Sequence, residues 1–242
     1  MASAGIVCKN RLLNTLKPAD LALLRPLLEP VDLPLEMVLE MPNEPIDSVY
    51  FIESGIASVV AGQGARIELG LIGLEGMSGL SIVLGDDRSV NRTFMQASGS
   101  AFRIGAKEFS RMLQKSPTLR LSLLRYAQFF STQVAQTAVA NGRGKLEARL
   151  ARWLLMTHDR MGGDSFPFTH QFLSVMLGVR RPGVTVALHV LEGLGLIKAR
   201  RGLITVVDRK GLEAHSDASY GVPEAEYERL IGGNFRRRQR QV

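Results

Sequence analysis

Cysteine is almost absent: Cys8 is the only one in 242 residues. A single thiol closes no internal disulfide and cannot hold an iron–sulfur cluster, which needs several thiolates. Long apolar runs are missing too, and none reaches the ~18 residues a membrane span requires. The first 21 residues, MASAGIVCKNRLLNTLKPADL, show no long apolar stretch ahead of a small-residue cleavage site, so no secretory signal is read there. Gly-x-Ser-x-Gly, a Walker-type phosphate loop and His-Glu-x-x-His are all absent, and with them the commonest hydrolase signatures. The four histidines (His158, His170, His189 and His215) fall in the second half of the chain and supply no ligand set to the first. These absences predict a cytoplasmic, non-enzymatic protein with no membrane association, no metal and no cofactor.

What is present is an ordinary globular balance, 45% hydrophobic and 22% charged, with enough length for two modest cores. The net charge is +7, unevenly spread. Residues 1–120 carry 12 Lys and Arg against 13 Asp and Glu, whereas residues 121–242 carry 18 against 10. A near-neutral N-terminal module joined to a basic C-terminal one suits a polyanionic partner.

The pattern changes along the chain. Residues 11–29 space their leucines helically but contain Pro18 and Pro26, which predicts two short helices. From Val31 to about Ile104, β-branched and glycine-punctuated segments (SVYFIESGIASVV, ARIELGLIG, RTFMQASGSAFRI) predict short antiparallel strands in a β-roll, with ESG as a turn. Beyond Pro117, Leu119, Leu123, Ala127, Phe130, Val134 and Thr137 recur every three or four residues, widened by Leu124, Tyr126 and Phe129. They form one stripe on a helix of about 22 residues. Such a stripe either packs on its own domain or seams a dimer; its length and breadth favour the dimer. NGRG at 141–144 reads as a glycine hinge, and 145–161 as a further helix burying Leu146, Leu150, Trp153, Leu154 and Met156.

The C-terminal signal is the sharpest. Thr169 can cap a helix over HQFLSVMLG whose Phe172, Leu173, Met176 and Leu177 face inward. Gly178 permits a tight turn, and a second helix runs from about Arg181 to Gly193, with Pro182 in its first turn and Val184, Leu188 and Leu191 buried. GLIKARRGLITVVD then reads as a two-stranded wing. This is a winged helix-turn-helix. Its second helix would enter the DNA major groove at its N-terminal end, with Arg180 and Arg181 poised for guanine and Thr185 one turn on. Arg200 and Arg201 at the wing tip would hold phosphates, and Thr169, His170 and Gln171 complete the candidate contact set.

A β-roll, a long helix and FPFTHQFLSVMLGVRRPGVTVALHVLEGLGLI with a wing resemble the bacterial Crp/Fnr transcription regulators over about residues 15–210. The resemblance implies an α+β fold: an N-terminal antiparallel, cyclic-nucleotide-binding-like β-roll (11–115), a dimerisation helix (116–141), a winged helix-turn-helix (145–212) and a C-terminal tail (213–242). It implies a homodimer on a near-palindromic double-stranded operator, with RNA polymerase as a further candidate partner. In the family's recognition helix, Arg-Glu-Thr-Val-Gly-Arg, Arg181 matches the first arginine and Val184 the valine. Pro182, Gly183 and Val186 replace the glutamate, threonine and second arginine, so the family's base preference does not transfer.

In the family's nucleotide-binding members a Gly-Glu-Leu is followed by Arg-Ser, whose pair holds the cyclic phosphate while the glutamate holds the ribose. Here Leu80, Arg88 and Ser89 match, but Ser78 and Gly79 stand for the glycine and glutamate. Glycine has no side-chain acceptor, and the stretch through Gln96 and Ala97 is about two residues longer than the usual cassette. The expectation is a regulator that does not bind cyclic AMP in the usual way and whose effector is unknown. The alternative is a small-molecule binder whose β-roll is the main site. The tail NFRRRQRQV reads as a basic, disordered segment.

Overall fold

A computed structural model describes residues 8–61, 67–217, 219–233 and 235. The terminal arginines at 236–238 and 240 lie outside the described residues. Two short helices open the chain, α1 (Arg11–Thr15) and α2 (Pro18–Leu24), divided as the prolines require. Five strands follow: β1 (Glu29–Leu33), β2 (Val38–Glu40), β3 (Ser48–Ala61), β4 (Ile67–Ile72) and β5 (Arg92–Gly105). They form one antiparallel sheet ordered β1-β5-β3-β4, with β2 also on β5. Between β4 and β5 lies the one-turn helix α3 (Leu80–Leu84).

The expected turn at ESG is instead a bulge. β3 runs through 14 residues, and its register against β5 shifts around Ser54. Gly55 sits at φ +80°, and a Cβ on Gly99 would lie 1.9 Å from the Ser54 carbonyl oxygen. Glycine on both strands lets the backbones cross closely, so the bulge bends the sheet where a turn would have ended it.

Helix α4 (Ala106–Lys115) leads into α5 (Pro117–Arg143), whose 27 residues span about 40 Å. Ser116 caps α5 and Pro117 opens it. The helix continues through Gly142, narrowing the expected hinge to Gly144 and Lys145, both extended. After it come α6 (Leu146–Arg160), β6 (Ser165–Phe166), α7 (His170–Met176), α8 (Arg181–Gly193), the wing strands β7 (Ile197–Arg200) and β8 (Leu203–Val206), and α9 (Arg209–His215).

The stripe on α5 turns toward its own protomer. Leu119 and Leu123 are fully buried with Tyr126 and Phe129 in the core beneath the roll, and Ala127 is buried too. Phe130 is half-buried against the apolar core of the roll and against Gly70. Val134 and Thr137 are half-buried, with Thr137 accepting a hydrogen bond from Arg152. Leu119, Leu123 and Ala127 of the expected dimer stripe are thus filled within the protomer, while Phe130, Val134 and Thr137 stay half-buried. The aromatic flank of the stripe gains more by covering the sheet than by facing water.

The C-terminal segment adds to this core, and the expected basic tail NFRRRQRQV lies, apart from Phe235, outside the described residues. Helix α10 (Val222–Leu230) packs along α5, and Tyr227 and Phe235 enter the same core, their rings 5.0 and 5.5 Å from Phe129. Through these contacts residues 222–230 and Phe235 strap the helix-turn-helix back onto the roll. No helix of the described residues is long and apolar enough to cross a membrane.

Candidate nucleic-acid interface

The helix-turn-helix forms as its spacing predicts. Thr169 caps α7 by accepting from the Phe172 amide at 3.1 Å. Leu173, Met176 and Leu177 are buried, and Phe172 is half-buried, stacked on Phe168, which in turn meets Trp153. Gly178 takes φ +63°, turning the chain into α8, which buries Val184, Ala187, Leu188 and Leu191. Gly183 faces inward, where a Cβ would come within 3.1 Å of Leu146. The wing closes through Arg201 and Gly202, both at positive φ, a two-residue turn matched to strand twist. It is tied to α8 by the Ala199 amide donating to Glu192.

This scaffold gathers the candidate residues on one surface. Thr169, Gln171, Arg180, Arg181, Arg200 and Arg201 are exposed. His170 and Thr185 are half-buried and joined: the Thr185 hydroxyl lies 3.3 Å from the Arg181 carbonyl and shares a 2.9 Å hydrogen bond with His170 Nδ1. That chain fixes the start of α7 to the first turn of α8. Thr169 also approaches the wing turn at Gly202. Arg180, the N-cap of α8, makes no side-chain cap; Pro182 has no N–H and the Gly183 amide donates to the Arg180 carbonyl at 3.0 Å, which leaves the Arg181 amide of that turn for an anionic oxygen. Residues 165–207 contain five Lys and Arg and a single acid, Glu192, already engaged by the wing. The surface is therefore cationic with no competing carboxylate of its own.

The candidate effector residues are not gathered in this way. Arg88 points outward, its side chain 57% exposed, 3.5 Å from Asp87 and within reach of the Asn43 carbonyl. Ser89 accepts from the Asn91 amide, and Leu80 is half-buried at the start of α3. Glu40, absent from the sequence reading, is buried and accepts from the Gly79 amide at 2.7 Å, so a carboxylate of the chain already holds that glycine. Burial pushes the Glu40 carboxyl above its ordinary range. The interior of the roll is filled by Leu33, Leu39, Ile52, Val59, Ile72 and Met95, with Phe130 against them. A cleft of about 650 Å³ between α3 and α4 includes none of Leu80, Arg88 and Ser89.

A buried polar seam sets the helix-turn-helix against the roll, and sequence reasoning missed it. Trp153 Nε1 on α6 donates to Glu68 on β4 at 2.7 Å, and Ser58 on β3 donates to the other carboxylate oxygen. Arg160 pairs with Glu75 at 2.8 Å, both 1% exposed, and lies over the Phe235 ring. Tyr227 donates to the Glu75 carbonyl. Burial raises the Glu68 carboxyl to about 7, against the lowering influence of Ser58, Trp153, Arg152 and Arg160. The folded state thus holds a proton that the unfolded chain releases near pH 4.5. The contribution is fully present below about pH 4.5 and is lost as pH rises to about 7, on the order of 3 kcal/mol. Glu68→Gln should flatten stability over that window and raise it at pH 8. Trp153, the only tryptophan, reports the seam directly by fluorescence during urea unfolding.

Residues 148–215 match the Crp-like helix-turn-helix domain. Solved structures carry a likeness of fold across both modules of the chain. A Crp/Fnr-family transcriptional regulator from Eubacterium rectale aligns at 20% identity over 86% of this chain and 98% of its own, with a TM-score of 0.64. FixK2 from Bradyrhizobium japonicum aligns at 14% identity over 77% and 96%, with a TM-score of 0.67. The c-di-GMP-responsive regulator CLP from Xanthomonas campestris aligns at 17% identity over 78% and 99%, with a TM-score of 0.62. At these identities the likeness is one of fold. No curated protein matches the chain significantly.

Proposed function

We propose that the protein is a homodimeric, cytoplasmic transcription regulator that reads a near-palindromic operator with α8 and acts on RNA polymerase once bound. The observation that carries this reading is the exposed start of α8, where Arg180 and Arg181 form no ion pair among the described residues, together with the exposed wing arginines Arg200 and Arg201. In this reading Arg181 pairs with guanine, while Arg200 and Arg201 hold phosphates. Thr169 and Gln171 flank the same groove, and His170 positions Thr185.

The dimer reading rests on the outer face of α5. Leu121, Leu124, Gln128, Ser131, Ala135, Ala138 and Gly142 follow at alternating steps of three and four, the heptad spacing of a two-stranded seam. Leu121 is 51% exposed, and from Gln128 onward every one of these residues is exposed and none is charged. Small residues at the C-terminal end would let two helices approach closely just before the DNA-binding module. Control by cyclic AMP is not part of this proposal, because Gly79 is held by Glu40 and Arg88 faces solvent.

Arg181→Ala tests base reading. Its side chain is exposed, so folding is untouched. Affinity for a cognate site should fall by about 1–3 kcal/mol, roughly 5- to 150-fold. Binding to unrelated DNA should change far less. An equal loss on both would assign Arg181 to phosphate.

A further inference from the structure

We infer that Val186 reads the 5-methyl group of a thymine in each operator half-site. The inference rests on the DNA-binding reading above and deepens it by naming a base class for the recognition helix.

Val186 is 62% exposed on α8, while its neighbours Val184, Ala187 and Leu188 are buried in the domain core. It therefore contributes little to folding where it stands, and valine is a weak helix former. What surrounds it on the chain is a charged surface, with Arg180 and Arg181 before it and Arg200 and Arg201 on the wing. Val190, one turn on, is 39% exposed and Leu194 56%, so Val186 heads an apolar stripe beside the arginines, and such a stripe complements a polyanion only where that polyanion exposes a hydrocarbon group. In the DNA major groove that group is the thymine methyl.

The other side chains in the first half of α8 narrow the choice. Pro182 has neither donor nor acceptor on its side chain. Gly183 is turned to Leu146. The Thr185 hydroxyl is committed to His170 and the Arg181 carbonyl. No asparagine, glutamine, aspartate or glutamate lies between Arg180 and Leu191, so the helix has no amide for adenine and no carboxylate for the cytosine amino group. Arg181 and Val186, five residues apart, are the guanine and methyl readers of this proposal, with the exposed Arg180 just before them and the exposed His189 one turn beyond. Five residues are about 7.5 Å along the helix axis, or about two base-pair steps. The half-site should pair a guanine with a thymine at that separation.

The test begins with sites selected from a random DNA pool by the full-length wild-type protein. Each thymine of the selected site is then replaced by deoxyuridine, which removes the methyl and leaves every hydrogen-bonding group. At one thymine per half-site, affinity should fall about fourfold, or about sixteenfold when both half-sites are changed, the worth of one buried carbon each. Val186→Ala, in which alanine favours the helix, should show the same loss on thymine and no further loss on deoxyuridine. Wild-type binding indifferent to deoxyuridine at every position overturns the inference while leaving DNA binding intact. So does a Val186→Ala protein as sensitive to deoxyuridine as the wild type. A pool that yields no enriched sequence refutes the DNA-binding reading itself, and this inference falls with it.

Discussion

Glu75→Ala is expected to cost the fold about 3–5 kcal/mol, because it strands a buried guanidinium. Arg160 gives two nitrogens to Glu75 Oε1 and a third to the Met156 carbonyl, and both members of the pair are 1% exposed. Asp159 and Glu224 also act on Arg160 electrostatically, but neither replaces the lost contact. The pair sits where three parts of the chain converge: the β4–α3 loop, the end of α6 and the C-terminal strap through Tyr227 and Phe235. Its loss should therefore loosen the helix-turn-helix from the roll as well as lower stability. Urea unfolding followed at Trp153 reads both, since that indole hydrogen-bonds Glu68 across the seam. The double variant Glu75→Leu/Arg160→Met removes both charges and should recover most of the loss. A single variant costing under about 1 kcal/mol would show that the pair is solvated and does not hold the modules together.

The second large effect is on association. Ala135→Glu places a carboxylate on the outer face of α5, where alanine is exposed and glutamate is a good helix former. In a dimer sharing that face, two such carboxylates would oppose each other across the symmetry axis, at several kcal/mol for like charges in contact. Sedimentation at micromolar concentration should then show a folded monomer, with affinity for a full operator reduced to that of one half-site. Phe130→Asp should behave differently. It puts a charge against the apolar core of the roll and should lower the melting temperature of the protomer itself. A dimer that survives Ala135→Glu, together with a folded monomer produced by Phe130→Asp, would favour the seam first expected from the sequence.

The contrast between those two residues shows what the sequence could tell. The helix-turn-helix is legible because its determinants are local: Thr169 caps, Gly178 turns, Pro182 starts, and Val184, Leu188 and Leu191 repeat at helical spacing. The strands of the roll are legible for the same reason, apart from ESG, where a turn and a bulge share the same glycine. The orientation of α5 is not, because the helix is apolar on two faces and periodicity cannot say which neighbour each face meets. The seam between modules is invisible for a different reason. Glu68 and Trp153 are 85 positions apart, as are Glu75 and Arg160, and no local pattern links them. The strap escaped notice because its arginine-rich end dominated the reading, although VPEAEYERL carries a proline at its first turn and an amphipathic pattern.

Selection of bound fragments from a random DNA pool, with and without cyclic AMP, tests the central claim most directly. The account predicts a near-palindromic site with a guanine in each half, enriched equally in both conditions. Enrichment only with cyclic AMP, or no enriched sequence at all, would contradict it.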